Sequence, residues 1–348
     1  MNPRSHADST FVAVIRCPVR RLLRVALAIA AFLVAAAASE LGLRAAGYHY
    51  SPIQIGANVA GDFREEHAFG DRNLVYDPDL IWRPRSGPFS PFNPQGFRGL
   101  PVSPEKPPET LRIIAIGDSN TFGWDVDDGA NWPAQLQTLF AARRPTEVIN
   151  AGVWGYSSFQ GERRFKELTA LNPDVVLISF GGNDAHQVTV PDAEYVRRHD
   201  RIDRLSRATR TLRVAQLAVA AWDRIEGATG ASGTLGPRVT VDEYAQHLRA
   251  IATEGRARGI RVVLLTRPYV GSSNDPSVWK THAPRYNATT LALADSERVG
   301  VIDVYAAFKD RPDVFDDESH FGVEGHRLAA QLLFKELSRM LKAESTPS

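Results

Sequence analysis

The rhythm of apolar and polar positions changes twice along the chain. An unbroken apolar run, VALAIAAFLVAAAA (25–38), stands near the start. Residues 47–110 show no helical period. Prolines, glycines and aromatics crowd YDPDLIWRPRSGPFSPFNPQGFRG (76–99), which predicts short strands and turns, and PVSPEKPPET (101–110) reads as a linker. From 111 onwards apolar runs of strand length alternate with amphipathic stretches. The runs are LRIIAI (111–116), TEVIN (146–150), DVVLISF (174–180), IRVVLLT (260–266) and VGVIDV (299–304). Helix-like segments occupy 132–144, 159–171, 241–255, 285–300 and 322–341; in the third, Tyr244, Leu248, Ile251 and Ala252 share one face. Strands that are apolar throughout need cover on both faces, and the helix after each one supplies it. The pattern predicts an α/β fold, a three-layer α/β/α sandwich with a parallel sheet over 111–345.

One stretch departs from the alternation, a helical insertion at about 190–237. Within it Leu205, Ala208, Leu212, Ala215, Val219 and Trp222 recur at 3-4-3-4-3 spacing, the mark of an added amphipathic helix. Arginine recurs every third residue at 198, 201, 204, 207, 210 and 213. A solvated, salt-bridged face is the expected reading; a lid or arm touching anionic lipid or acidic polysaccharide is the other. GATGASGTLGP (227–237) then serves as a flexible connector.

The apolar run near the start has two readings. Arg16, Arg20, Arg21 and Arg24 precede it, and it ends in Ala36-Ala37-Ala38, as in a cleavable secretory signal. Alternatively 22–46 is one spanning helix, with Arg24 and Arg44 snorkelling to the two interfaces. A basic region of 24 residues is long for a signal peptide and favours the uncleaved anchor. Either way the leading arginines stay cytoplasmic, so the remainder is expected on the periplasmic or extracellular side, anchored or secreted after cleavage. The division is thus 1–46 tail and anchor or signal, 47–110 irregular extension and linker, and 111–345 α/β domain. Apolar content of 43% and charged content of 23% are globular values. A net charge of +1 gives no reason to expect a nucleic-acid partner, and no such motif appears. With Cys17 as the sole cysteine, an intrachain disulfide, a CxxC pair and a cysteine zinc site are excluded.

Candidate chemistry lies where strands end. Ser119, in GDSN (117–120), follows the first strand of the parallel sheet, at the end where such sheets bind ligands. It lacks the second glycine of a G-x-S-x-G elbow, and a helix-capping serine is the plainer alternative. The second strand opens into NAGVWGYSS (150–158) and the third into GGND (181–184). Both loops offer backbone N–H groups and an asparagine amide, the donors an oxyanion hole needs; strand-ending turns are the bland reading, with Asn183 and Asp184 capping a helix. In DDESHFGVEGH (316–326), Asp317 stands three residues before His320, close enough to reach Nδ1 and leave Nε2 facing a serine. A metal site using Asp317, His320 and His326 is the rival. No further His or Cys cluster supports it, and His326 reads as support at the start of the last helix.

Together the four blocks GDSN, NAGVWGYS, GGND and DESH resemble those of the SGNH hydrolases, the GDSL lipases and esterases, over about two thirds of the chain. The resemblance implies a flavodoxin-like three-layer fold and hydrolysis of acyl, chiefly acetyl, esters without cofactor or metal. It implies Ser119 as nucleophile, His320 as base and Asp317 as its orienting carboxylate. The oxyanion donors it implies are the N–H groups of Ser119 and Gly155 and the Asn183 side chain. Gly155 is preferred to Gly152 because the family's glycine lies five residues after the block's asparagine. Asn120 stands where the family name has leucine. NPQGFRG (93–99) is loosely similar to an extension of membrane-anchored bacterial members. The expected substrate is an acylated carbohydrate or a lipid ester. Trp124 and Trp154 stand near the presumed cleft, as core residues or as a platform for a sugar. Transfer of the acyl group to a sugar hydroxyl, and a non-catalytic envelope-binding protein on the same fold, are the alternatives.

Overall fold

The computed structural model describes residues 9–48, 73–197, 212–230 and 235–343. The chain divides into two units, Met1–Pro52 with Ile202–Ala228, and Ile53–Arg201 with Thr229–Ser348.

The second unit is built on five parallel strands, β3 (Leu111–Gly117), β4 (Thr146–Asn150), β5 (Val175–Ser179), β8 (Arg261–Leu265) and β9 (Gly300–Ile302), in the order β4-β3-β5-β8-β9. Register pairs Ile113 with Val175 and Val175 with Arg261, so all carboxyl ends share one rim. Every residue of β3 and β5 is buried, which is why their sequences show no alternation. Ile113 and Ala115 face a layer made by helices Trp132–Ala141 and Val323–Ala343, through Leu136, Phe140, Ala330 and Leu333. Ile114 and Ile116 face the opposite layer, helices Ser158–Leu168, Val241–Ala257 and Ala283–Glu297, through Phe165, Leu248, Ile251 and Leu293. Strand order reverses between β3 and β5, and the crevice above such a switch point is where open α/β sheets hold ligands.

The sequence pattern sets 47–110 apart as extension and linker. Of its described part, 73–98 instead packs into the same core, while 99–110 is largely exposed. A hairpin of β1 (Leu74–Asp77) and β2 (Ile81–Pro84) leads in, and Leu74, Ile81, Trp82, Phe92 and Phe97 join the second layer's hydrophobic cluster. Two short strands, β6 (Gln187–Val188) and β7 (Gly236–Pro237), pair antiparallel where the insertion leaves and returns.

In the first unit, helix Ser9–Ala45 contains a stretch, Arg21–Ala45, of 25 residues that is long and apolar enough to cross a membrane. Near its end Glu40 accepts Arg44 Nε at 2.7 Å and the N–H of Val214 at 3.0 Å, capping the insertion helix Arg213–Gly230. Leu205, Ala208 and the arginines at 198, 201, 204, 207 and 210 lie outside the described residues.

Candidate active site

The site begins where β3 ends. A side chain at Gly117 would bring a Cβ within 2.1 Å of Thr121 Oγ1 and 2.7 Å of the Ser179 carbonyl, so only glycine lets the chain turn so sharply there. The short helix Ser119–Phe122 follows. Asp118, not Ser119, is its N-cap, accepting the Asn120 N–H at 2.9 Å. The capping alternative for the serine therefore does not hold, and its hydroxyl is spent elsewhere. Ser119 Oγ lies 2.7 Å from His320 Nε2, across 201 residues of sequence.

His320 is aimed from below. Its Nδ1 lies 2.6 Å from Asp317 Oδ2, while Asp317 Oδ1 accepts the N–H groups of Ser319 and His320, both at 2.7 Å. A carboxylate only accepts, so the ring proton sits at Nδ1, and Nε2 is left to accept from the serine hydroxyl. Partial burial pushes the Asp317 carboxyl up, but hydrogen bonds and charge from His320 outweigh it and hold the group well below the usual carboxylate range. His326 stands apart from this pair: fully buried, it accepts the Trp132 N–H at 3.3 Å through Nδ1, and burial pushes its pKa down to about 3.

The loop after β4 lies against the serine's helix. A Cβ on Gly152 would fall 2.3 Å from the Phe122 nitrogen, so this glycine is required for backbone contact. Gly155 adopts a left-handed φ of 76°, and its carbonyl accepts Arg238 Nη1 at 2.6 Å. Asn183, after β5, donates one amide hydrogen to the Tyr156 carbonyl at 3.0 Å, which ties the two loops together and leaves a second hydrogen. Among the described residues, no acceptor takes the backbone N–H of Ser119 or Gly155. Asp184 does not cap a following helix. It accepts the N–H of Gly181 at 3.0 Å and both the N–H and hydroxyl of Ser158. Burial pushes its pKa up to about 6 against those bonds.

Four buried residues that the sequence pattern did not single out hold these loops. Arg238 pairs with Asp192 at 2.7 Å, and Asp192 in turn accepts the Ser157 hydroxyl at 2.7 Å. Arg98, in the NPQGFRG stretch, donates to the carbonyls of Phe122, Gly123 and Val126 and closes the end of the serine's helix. Arg267, two residues beyond β8, pairs with Asp118 at 2.7 Å. An arginine directly past a strand's carboxyl end was the available signal for Arg267. Of the two tryptophans, Trp154 is core, packed on Phe92 and Phe122. Trp124 is half-buried, its ring centroid 6.4 Å from that of His320.

A model of the GDSL-like lipase/acylhydrolase family matches residues 115–328. Among solved structures the chain is similar to a lipase/acylhydrolase from Enterococcus faecalis, at 24% identity and a TM-score of 0.46, covering 66% of this chain and 96% of that one. It is likewise similar to an acetylxylan esterase from Geobacillus stearothermophilus, at 20% identity and a TM-score of 0.45, covering 65% and 94%. No curated protein matches the chain.

Proposed function

The chain belongs to the GDSL-like lipase/acylhydrolase family, serine hydrolases of carboxylic esters, and on that premise we propose that Ser119 deacylates short-chain, chiefly acetyl, esters of envelope or extracellular carbohydrate. The carrying observation is the pair of short contacts, Ser119 Oγ to His320 Nε2 at 2.7 Å and His320 Nδ1 to Asp317 at 2.6 Å.

In this reading His320 takes the hydroxyl proton as Ser119 Oγ bonds to the ester carbonyl carbon. The carbonyl's electron pair moves onto its oxygen, and Asp317 stabilises the imidazolium. The N–H groups of Ser119 and Gly155 and the second amide hydrogen of Asn183 receive that oxyanion, each donor contributing on the order of 10²–10³ in kcat. Collapse expels the alcohol, which takes the proton from His320 Nε2. Water, giving a proton to the same nitrogen as its oxygen bonds to the acyl carbon, then displaces Ser119 Oγ, which takes that proton back as the acid leaves.

Acyl length follows from access. Ser119 is 5% exposed, and such limited access favours a short acyl group such as acetyl over a long chain. The Trp124 ring beside His320 offers an apolar face of the kind sugar rings lie on. We further assign the N-terminal helix as an uncleaved anchor, with the catalytic unit on the periplasmic or extracellular side.

The test uses p-nitrophenyl esters and a fluorophosphonate probe. Acetate ester should exceed octanoate ester at least tenfold in kcat/KM, and Ser119→Ala should lose both turnover and labelling. A folded Ser119→Ala protein that still turns over would reject the nucleophile; equal rates on both esters would reject the acyl preference.

A further inference from the structure

The serine and histidine come from opposite ends of the catalytic unit, so something must fix their separation. The shortest such links converge on one buried side chain. Arg267, 4% exposed, reaches in two directions. Its Nε donates to Asp118 Oδ2 at 2.7 Å, one residue before Ser119. Its Nη1 donates to the Ser319 carbonyl at 2.7 Å, one residue before His320. The Arg267 main chain is itself fixed: its N–H donates to Asn287 Oδ1 at 2.8 Å, and its carbonyl accepts Asn287 Nδ2 at 3.0 Å. The third loop passes close to the same ion pair, since a Cβ on Gly182 would lie 3.5 Å from Arg267 Nε and 3.7 Å from Asp118 Oδ2.

We infer that Arg267 is the positioning residue of the reaction, holding Ser119 Oγ and His320 Nε2 at proton-transfer distance through its simultaneous bonds to Asp118 and the Ser319 carbonyl. The inference rests on the roles proposed for Ser119 and His320. The physical reason for arginine is its rigid planar fork. Two donors a fixed distance apart on one delocalised cation turn two separate anchor points into one. Asn120 adds longer bonds on both sides of His320, from Nδ2 to the same Ser319 carbonyl at 3.3 Å and from the Phe321 N–H to its Oδ1 at 3.4 Å, both weaker than the two Arg267 bonds. Lysine would keep the charge opposite Asp118 but, as a point donor on a flexible stem, would not reach both partners in a fixed geometry. A displacement of about 1 Å between reacting groups costs on the order of 10² in rate.

The experiment compares wild type, Ser119→Ala and Arg267→Lys in the full chain, by steady-state p-nitrophenyl acetate hydrolysis, fluorophosphonate labelling rate and thermal melting. Arg267→Lys should lower kcat and the labelling rate by about 10², with KM within about threefold and a melting temperature near wild type. A purely structural role would lower the melting temperature and leave kcat of the folded fraction unchanged, which overturns the inference. Should Arg267→Lys fail to fold, the neutral double variant Asp118→Asn/Arg267→Gln leaves no buried charge unpaired and carries the same expectation. Wild-type kcat in that folded double variant would equally overturn it. The reading beneath is checked separately: wild type labelled and Ser119→Ala unlabelled leaves that reading standing, so that Arg267 alone is then decided. An unlabelled wild type removes that reading and this inference together.

Discussion

The histidine limb and the donor limb of the site meet at one rim but are held in different ways. Every bond that orients the His320 ring through Asp317 is local, to the main chain and hydroxyl of Ser319, the main chain of His320 and the ring itself, and the Asp317 side chain is 54% exposed. The donor limb is fixed by groups far apart in sequence and out of water: Asp184, Ser157 and Ser158 are fully buried, and Arg238 and Asp192 nearly so. A hydrogen-bonded polar network in a low-dielectric interior is stiff, whereas a carboxylate bonded near solvent exchanges partners at small cost even where Arg267 holds the main chain of its loop. The division matches the tasks proposed for the two limbs. Donors that must already point at a developing negative charge gain from rigidity. A carboxylate that must stay ionised beside an imidazolium gains from nearby water.

The largest expected effect removes the reacting groups themselves. Ser119→Ala or His320→Ala should lower kcat by about 10⁴ or more, since neither the donors nor binding can replace them. Next comes Asp317→Asn, which disturbs the ring's tautomer and should cost about 10³ in kcat. Its exposed, local bonding means the melting temperature should move by no more than about 2 °C. Asn183→Ala should follow at about 10²–10³ in kcat. In contrast to Asp317→Asn, it should also lower stability by about 1 kcal/mol through the lost bond to the Tyr156 carbonyl. Steady-state kinetics and thermal melting on the same preparations make the comparison. Equal melting temperatures for Asp317→Asn and Asn183→Ala would remove the contrast between the limbs.

The parallel sheet was legible because strands buried on both faces leave continuous apolar runs, and strand boundaries fell within a residue or two of prediction. The segments bearing Ser119, the Asn150 loop and Asn183 were legible for a related reason, since glycines and turn residues directly after those runs mark the rim; His320 was marked instead by its spacing from Asp317 shortly before the last helix. What stayed hidden is a set of buried arginines. Arg112 is wholly buried within β3, donating to the carbonyls of Ser103, Pro104 and Leu171. Arg238 and Arg267 likewise neutralise aspartates distant in the chain, at separations of 46 and 149 residues. Charged residues ordinarily read as solvent-facing, and a pairing over such distances leaves no local spacing to find. Composition marked the turns of the 73–98 segment but not its packing. Its prolines and glycines signal turns, while Trp82, Phe92 and Phe97 use those turns to fill one core.

The smallest expected effect probes the buried limb through pH. Burial raises the Asp184 carboxyl from 3.8 to about 6, although Ser158 and Gly181 bond it. A folded pKa above the unfolded one means the native state holds its proton longer. The contribution of this group is therefore fully present below about pH 4 and is lost as pH rises through 6, about 3 kcal/mol in all at 1.36 kcal/mol per pKa unit. Asp184→Asn does not titrate. Its absolute stability should be lower, because one accepting oxygen becomes an amide group facing N–H donors. The informative quantity is the difference in unfolding free energy, variant minus wild type, measured by denaturant titration from pH 4 to 7. That difference should climb by about 3 kcal/mol across the window. His326, pushed down to about 3 by burial, imposes the opposite slope between 3 and 6.5, because its contribution is lost as pH falls. It is present in both proteins, so it cancels in the difference and leaves Asp184 isolated. A flat difference would mean that water reaches this carboxylate as readily as it reaches Asp317, and the two limbs would then not differ in how they are held.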